Sequence, residues 1–383
     1  MAATVSYTDI LDFLDPQVGK YVGALLRENN VGVCGGPLHV LEPKTGRHTI
    51  TQRHCCDRFK IQIPFAGNTL IWQVMLDSMH PSEPPDFIFN SHDFGFMPDI
   101  EDIKSLVNWD AGAENSLSLV INELLVAYKD HQRSLLNDRL QFEYTSLLET
   151  DKFTTIEVHH SRKTPRGPLT VNFLIRLPVD FSNIPEFITK DNPGEDAAIL
   201  LVSFQNQEAT KVSPQLYLSP RVEHALGGAA SLRIPVFQNG GCLMDYVPNV
   251  FQLLENMVDQ IVKGFQKRKE YIAAFLSHFG RAVLEYDAET YNKISLLFDW
   301  EDFYFILHIN IPTFFPRDQP HFELQSVYHM TTYSKPIIAT IKDYPYSPRW
   351  SGNEMAERAK VYLEQYMPEF KRSSVHLSAS RMR

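Results

Sequence analysis

Residues 59–89 read FKIQIPFAGNTLIWQVMLDSMHPSEPPDFIF, and this stretch decides the fold. Strict alternation of apolar and polar side chains is typical of a β-strand that is buried on one side. The stretch holds two alternating runs, with apolar residues at Phe59, Ile61 and Ile63 and again at Leu70, Trp72, Val74 and Leu76. Ala66-Gly67-Asn68 separates the two runs, and a short link that contains glycine predicts a β-hairpin.

A proline-rich turn follows the hairpin. Residues 80–85 read HPSEPP, and residues 86–89 (DFIF) continue as an aromatic strand. Pro81, Pro84 and Pro85 supply no backbone N–H donors, and adjacent prolines hold the chain in an extended turn. We therefore expect a three-stranded antiparallel meander with a structural proline turn before its last strand.

The same pattern occurs a second time. Residues 294–324 align with 59–89 without a gap, at a constant offset of 235 residues, the distance from Phe59 to Ile294. The alternating apolar positions coincide, and two prolines coincide as well, because Pro316 falls on Pro81 and Pro320 on Pro85. Two unrelated segments can share alternating strand patterns by chance, but they are less expected to share two proline positions as well. The repeat therefore predicts a duplicated module.

Helical periodicity flanks both copies. Helices are predicted from Thr8 to about Arg27 with a bend or break at Pro16, over about 117–148, and over about 250–284. The stripe on the second of these is Val120, Leu124, Tyr128, Leu135, Phe142 and Leu147. A closing helix is indicated by the stripe Met355, Ala359, Tyr362, Tyr366 and Phe370. Between the copies, three strands are predicted around 171–177, 198–204 and 214–218.

Composition excludes several classes of function. The chain has 383 residues and a net charge of −10, which argues against a nucleic-acid partner because phosphate binding needs a basic surface. No apolar stretch approaches the roughly 20 residues that span a bilayer, so no membrane partner is expected. Four Cys without a CxxC pair fit a reducing compartment, and the acidic N-terminus differs from a signal peptide. We expect a cytoplasmic and nuclear protein.

The usual catalytic motifs are absent from the sequence. It contains no GxxxxGK[ST], GxGxxG, GxSxG or HExxH motif and no His-x-His pair. His54-Cys55-Cys56, with Cys34 and His39 upstream, matches no standard zinc spacing, and we interpret it as side chains beside a strand. The sequence therefore predicts no cofactor and no metal.

Three polar segments have simple interpretations. His159-His160 precedes a basic stretch and is predicted to lie in a solvated loop. Lys263, Lys267, Arg268 and Lys269 are predicted to lie on a solvated helix face. The residues after Phe370 contain four Lys or Arg and no acid, and they are predicted to form a disordered basic tail.

The duplicated module resembles the ubiquitin-conjugating fold. In that family, an aromatic-Pro-x-x-Pro-Pro turn follows the third strand, and here the turn stands as HPSEPP at 80–85 and FPRDQP at 315–320. Active members carry a thiol nucleophile after the turn, whereas this chain has no Cys between Cys56 and Cys242 and none after Cys242. Both copies are thus similar to the inactive variants of the family, the UEV class.

Most of the chain also resembles the family of brain and reproductive organ-expressed proteins (BRE). The segments that carry the resemblance include CDRFKIQIPFAGNTLIW, LPVDFSNIP, LYLSPRVEHALGG, YIAAFLSHFG and YPYSPRW, and they extend from Cys56 to about Lys360. The resemblance implies an α+β protein of tandem UEV and RWD-like modules, each an antiparallel meander with flanking helices. The implied modules cover residues 1–150, 151–265 and 266–383.

The resemblance further implies a non-catalytic scaffold of a deubiquitinase complex. Its implied partners are a JAMM zinc deubiquitinase specific for lysine-sixty-three-linked ubiquitin chains, an Abraxas-type pseudo-enzyme scaffold and a von Willebrand A-like adaptor. Ubiquitin chains and serine hydroxymethyltransferase are implied as further contacts through the complex, with roles in ubiquitin signalling and the DNA damage response.

A candidate partner-binding site lies in the second copy. Its residues are Tyr344, Tyr346, Pro348, Arg349 and Trp350, which could form an aromatic groove for a proline-bearing peptide of the adaptor. The alternative is that Tyr346 and Trp350 only pack the loop beneath the closing helix. Two alternatives for the whole chain are direct ubiquitin binding by a UEV module in a conjugation pathway, and residual conjugation through Cys55 or Cys56.

Overall fold

The computed structural model describes residues 10–27, 31–33, 35–46, 55–90, 95–162, 169–185, 194–206, 211–228, 232–238 and 240–379. Contacts divide the chain into two compact units. Unit 1 comprises Met1–Val179, Gly194–Ser219 and Arg233–Leu254, and unit 2 comprises Asp180–Pro193, Pro220–Leu232 and Glu255–Arg383.

Unit 1 contains two four-stranded antiparallel sheets and four helices within its described residues. The first sheet has the order β1 (His39–Lys44), β2 (Arg58–Phe65), β3 (Asn68–Met75) and β4 (Asp86–Ile88). The second has the order β5 (Ile156–Arg162), β6 (Leu169–Leu177), β7 (Ala198–Phe204) and β8 (Val212–Leu218). The helices are α1 (Pro16–Arg27), α2 (Lys104–Val107), α3 (Ser116–Ser134) and α4 (Asp138–Leu148).

Unit 2 contains a five-stranded antiparallel sheet. Its strands are β9 (Val283–Tyr286), β10 (Lys293–Trp300), β11 (Phe303–Asn310), β12 (His321–Met330) and β13 (Pro336–Ile341), in the order β13-β12-β11-β10-β9. Three further helices are α5 (Pro220–Ala225), α6 (Leu243–Phe279) and α7 (Gly352–Ala379), and α6 contributes residues to both units. The expected mixture of helices and antiparallel sheets is confirmed. Each predicted module range holds one sheet, and the module boundaries stay a prediction.

The repeat is present in the strands themselves. β2 and β3 begin and end 235 residues before β10 and β11, and the two hairpins pair in the same register, with Phe65 opposite Asn68 and Trp300 opposite Phe303. Both hairpins close with a two-residue turn at positive φ, 44° and 74° at Ala66-Gly67 and 50° and 62° at Glu301-Asp302. Such turns match the right-handed twist of the paired strands. The two copies therefore share one hairpin geometry despite different sequences.

The predicted break at Pro16 is confirmed, and the helices depart from the prediction at two other places. Residues 10 and 11 are helical and α1 begins anew at Pro16, because proline fits the first helical position and Asp15 accepts a hydrogen bond from Gln17 N at 3.0 Å. The predicted helix over 117–148 is divided by a cap at Asn137, whose side chain accepts from Leu140 N at 2.9 Å. Leu135 lies at the end of α3 and Phe142 lies in α4, and both are exposed, so their assignment to the buried stripe is wrong.

The second departure concerns the basic tail. α7 continues through residues 371–379, so the prediction of disorder is wrong for them, while 380–383 lie outside the described residues. Lys371 donates to the carbonyl oxygen of Glu301 in the β10–β11 turn at 2.7 Å, and the Ser374 side chain is buried. These contacts extend the helix beyond the apolar stripe that ends at Phe370. The basic run on α6 matches its prediction at Lys263, Lys267 and Lys269, which are exposed. Arg268 departs from it, because its side chain is half-buried and donates to the Thr313 carbonyl oxygen at 3.2 Å.

The two sheets of unit 1 share a hydrophobic core. Leu174 and Leu201 of the second sheet belong to the same buried cluster as Ile61 and Trp72 of the first. The β2–β3 turn lies against the second sheet so closely that a Cβ on Gly67 would come within 3.2 Å of Leu201. Glycine at this turn therefore supplies both the positive φ and the space that the contact needs.

A buried carboxylate joins the same turn to β5. Glu157 is 3% exposed, and its two oxygens accept hydrogen bonds from Val33 N at 2.7 Å and from Ala66 N at 2.8 Å. Burial raises the pKa of Glu157, and the two N–H donors offset part of that rise. One side chain of the second sheet thus satisfies two backbone donors of the chain around the first sheet.

The interpretation of His159-His160 as a solvated loop is wrong. Both residues lie in β5 and are buried. The amide oxygen of Gln132 accepts from the His160 backbone N at 2.9 Å and lies 3.0 Å from its Nδ1, and His159 Nδ1 lies 3.2 Å from Asn68 Nδ2. Burial lowers the pKa of each histidine to about 4. The local sequence does not indicate that His160 is buried, because its hydrogen-bond partner, Gln132, lies in α3, 28 residues earlier.

We predict that Glu157→Ala lowers the free energy of unfolding of unit 1 by about 2–3 kcal/mol, because two buried N–H groups lose their acceptor. Glu157→Gln should cost less, since its amide oxygen retains one of the two bonds. Urea unfolding followed by tryptophan fluorescence measures the change. Glu149→Ala removes an exposed carboxylate of the same unit and serves as the control. Equal stability of the Glu157→Ala and control variants would contradict the assigned role.

We predict that acid destabilises unit 1 partly through His159. Its pKa is lower in the folded state than the ordinary 6.5, so the unfolded chain takes up the proton first and stability falls as pH drops from 6.5 towards about 4. His159→Phe should reduce the slope of unfolding free energy against pH in this window by up to about 1.4 kcal/mol per pH unit. His278→Phe, at an exposed position, should leave the slope unchanged.

Candidate partner-binding site

The proline turn of unit 2 is tied to the loop that holds the candidate residues. Tyr344 donates its hydroxyl to the carbonyl oxygen of Pro320 at 2.7 Å, and its ring stacks on Phe322 with centroids 4.1 Å apart. Tyr346 donates its hydroxyl to the carbonyl oxygen of Pro316. These bonds fix the loop 344–350 beside the turn 315–320, so the predicted structural role of Pro316 and Pro320 has a physical basis.

The equivalent turn in unit 1 is held by one indole. Trp109 Nε1 donates to the carbonyl oxygen of Pro81 at 3.2 Å, and the Trp109 ring lies 5.2 Å from that of Tyr21 on α1. Pro81 is the counterpart of Pro316 at the offset of 235 residues, so both copies cap the same carbonyl with an aromatic donor. Within this turn Pro85 is buried and Pro84 is exposed.

The five candidate residues divide into two groups. Tyr344 is 7% exposed, and burial raises its pKa well above the ordinary range. Tyr346 is half-buried, and burial raises its pKa to about 12. Both side chains are engaged with the turn. Pro348 and Arg349 are exposed, and Trp350 is half-buried beneath the guanidinium of Arg358 at 4.1 Å. Whether the five bind a partner stays a prediction.

Sequence reasoning missed three residues of the same surface, namely Phe314, Arg317 and Arg358. Phe314 is 61% exposed, and the Arg317 guanidinium lies 4.6 Å from its ring centroid. The repeat contains a signal for this position, because Met79, the counterpart of Phe314 at the same offset, is 65% exposed. An apolar side chain that stays outside in both copies has no role in the core. We define the Pro-turn surface as Phe314, Arg317, Pro348, Arg349, Trp350 and Arg358.

The Pro-turn surface combines cations with aromatic faces. Guanidinium groups over aromatic rings gain from the ring quadrupole and remain able to donate hydrogen bonds. Arg317 and Arg358 also pair with Asp318 and Glu354 at 3.0 Å, so part of their charge is balanced locally. Such a surface can bind a peptide that offers proline rings and carboxylates.

The described thiols lack the environment of a nucleophile. Cys55 is buried, burial raises the pKa of Cys56, and the hydrogen bond from Cys242 to Asp245 at 2.9 Å raises the pKa of Cys242. Reactive cysteines have a lowered pKa beside cations or helix N-termini. Cys34 and His54 lie outside the described residues.

Neither a metal-ligand cluster nor a membrane-spanning helix is found among the described residues. Among them, no group of three or more His, Cys, Asp or Glu side chains could hold a metal ion. No described helix combines the length and apolar character needed to cross a membrane.

The fold and this surface define a class of protein: a mixed α/β chain built on antiparallel sheets, in which a hairpin, a proline turn and a further strand occur twice. The family model described as "Brain and reproductive organ-expressed protein (BRE)" matches residues 12–330. The chain belongs to this family.

Two relatives match almost the whole chain. One, from Branchiostoma floridae, is 50% identical over 373 residues, which cover 96% of this chain and 97% of the relative. Another, from Danio rerio, is 46% identical over 368 residues, which cover 94% and 95% respectively. Each relative is named "BRISC and BRCA1-A complex member 2".

We predict that the two tyrosines of the candidate site are structural. Tyr344→Phe should lower the free energy of unfolding of unit 2 by about 1–2 kcal/mol, because the buried carbonyl of Pro320 loses its donor while the stacked ring remains. Tyr346→Phe should act in the same direction. Pro348→Ala and Arg349→Ala, which truncate exposed side chains, should change it by less than about 0.5 kcal/mol. Chemical unfolding of the four variants measures the order, and equal effects would contradict this division.

Proposed function

We propose that the chain is a non-catalytic scaffold subunit of a JAMM deubiquitinase complex that cleaves lysine-sixty-three-linked ubiquitin chains. In this proposal it connects the Abraxas-type scaffold and the protease to the von Willebrand A-like adaptor. The observation that carries the proposal is the similarity, over at least 94% of each chain, to two proteins named as complex members.

The modules in this proposal are of the UEV and RWD-like kind. Three features support UEV modules at both ends: the duplicated hairpin, the proline turn that follows β3 and β11, and the long helix α7 after the second copy. The four-stranded meander β5–β8 supports a related module between them. A meander packed against helices is a compact unit that offers loops and one sheet face to partners.

The proposal assigns no bond chemistry to the chain. A conjugating enzyme needs a thiolate close after its proline turn. This chain has no Cys between Cys56 and Cys242 and none after Cys242, so neither turn is followed by such a thiol. The raised pKa values of Cys56 and Cys242 also argue against residual conjugation. The role of the protein is therefore to hold partners in place, which lets the protease gain affinity and orientation toward ubiquitin chains.

The Pro-turn surface is the proposed contact for the adaptor. Its exposed Pro348 and Arg349 come directly before Trp350 in the chain. Its guanidinium groups favour a peptide with carboxylates near proline. We further propose that the complex acts in the cytoplasm and the nucleus, where ubiquitin signalling and the DNA damage response take place.

Purification of the native protein from cells, followed by mass spectrometry, tests the main proposal. The expected result is recovery of a JAMM metalloprotease, an Abraxas-type subunit and a von Willebrand A-like adaptor in comparable amounts. Recovery of the chain without a metalloprotease and without an Abraxas-type subunit would refute the proposal.

We predict that Arg349→Glu weakens retention of the adaptor by about tenfold, because it reverses a charge on the Pro-turn surface. The protease and the Abraxas-type subunit should remain bound. Arg139→Glu reverses an exposed arginine of unit 1 and serves as the matched control. Quantitative mass spectrometry of the purified complexes gives the ratio. Loss of all partners together would show misfolding, which the unfolding measurement on the same variant detects.

A further inference from the structure

Unit 1 carries an exposed apolar surface that neither the repeat nor the Pro-turn surface explains. Large apolar side chains of residues 97–107 and of α3 are exposed, and their exposed fractions range from 49% at Leu119 to 88% at Met97. We define the α2–α3 surface as Met97, Ile100, Val107, Leu119 and Val126. Scattered exposed apolar residues are normal, but a contiguous group of this size marks an interaction site.

Buried contacts and one hydrogen bond hold α2 against α3. Ile103 and Leu106 are buried in the same core cluster as Val120 and Leu124 of α3. Ser105 N donates to Glu123 Oε2 at 3.0 Å, which fastens α2 to the middle of α3. Leu119 and Val126 lie on either side of Glu123 along the helix. Because Ile103 and Leu106 face the core, Ile100 in the preceding turn and Val107 in α2 are left exposed.

Acidic groups border the surface. Asp99, Glu101 and Asp102 are exposed on the turn that contains Ile100, and no ion pair involves them among the described residues. Lys104 is the one cation between residues 95 and 107. An apolar strip with an acidic border is complementary to a partner that places cations beside apolar side chains.

The geometry favours a helical partner. Leu119 and Val126 are seven residues apart, which is two helical turns, or about 10.5 Å, along α3. Apolar anchors at i, i+3, i+4 and i+7 of an amphipathic helix have the same stride. The surface consists of helix sides and side chains, and it offers no open strand edge to an extended peptide.

We propose that the α2–α3 surface docks an amphipathic helix of a partner protein, with Leu-type side chains facing the strip and Lys or Arg facing Asp99, Glu101 and Asp102. The site lies in unit 1 and is separate from the Pro-turn surface of unit 2. The inference does not depend on which assembly contains the chain, because it concerns the chemistry of the occupant.

Site-specific photocrosslinking in cells tests the occupant on the full-length chain. A benzophenone amino acid replaces Ile100 or Val126, and a third variant carries it at Val361, an exposed valine of helix α7. The expected result is that positions 100 and 126 capture one and the same partner segment, whose sequence is an amphipathic helix with basic flanks. Position 361 should not capture this segment.

A synthetic peptide of the captured segment then gives affinities by fluorescence anisotropy. Val126→Asp should weaken binding by about tenfold or more, whereas Val361→Asp should change it by less than about twofold. The triple variant Asp99→Asn, Glu101→Gln and Asp102→Asn should weaken binding and reduce its dependence on salt. Circular dichroism melting confirms that each variant is folded.

Several outcomes would overturn the proposal. These are capture of an acidic or extended segment, capture of a second copy of this chain, unrelated segments at the two positions, or no product from either position. Equal weakening by Val126→Asp and Val361→Asp in folded proteins would also overturn it.

Discussion

The buried carboxylate of Glu157 is the interaction on which unit 1 depends. Two backbone donors, at Val33 and Ala66, have this one side chain as their acceptor, and neither can turn to water because the site is closed. A neutral apolar residue would fill the space but leave two buried N–H groups unpaired, at a cost of about 1–3 kcal/mol each. The position of the β2–β3 turn, and with it the shared core of the two sheets, follows from this constraint.

The two copies of the hairpin show how one backbone geometry serves different surroundings. In unit 1 the turn residues are Ala66 and Gly67, which are small enough to lie against Leu201 and Glu157. In unit 2 the same positions are Glu301 and Asp302, which are both exposed, and Glu301 meets Lys371 of α7. The φ angles are alike in both, so the local turn is set by the hairpin, and the side chains are set by whether another element covers it.

Local patterns predicted the hairpins, the proline turns and the closing helix, because alternation and helical periodicity act over a few residues. The predictions were wrong where a residue far along the chain decides the structure. Gln132 accepts a hydrogen bond from His160 in the buried strand, and the Glu301 carbonyl accepts one from Lys371, which lies in α7 beyond Phe370. The candidate site followed the same division. Its aromatic residues were visible in the sequence, but the hydroxyl bonds of Tyr344 and Tyr346 to proline carbonyls join residues 24 and 30 positions apart. Phe314 was accessible to sequence reasoning through its counterpart Met79.

The capped proline carbonyls have a consequence for how unit 2 can recognise another protein. Pro316 and Pro320 have no amide hydrogen, and their carbonyl oxygens already accept tyrosine hydroxyls, so this turn has little main-chain hydrogen bonding left to offer. The turn would recognise a bound segment by the shape and charge of its side chains. It would not impose the fixed chain direction that pairing with a strand requires. Such a contact tolerates either chain direction in its ligand, and it can be retuned by single surface substitutions that leave the scaffold intact.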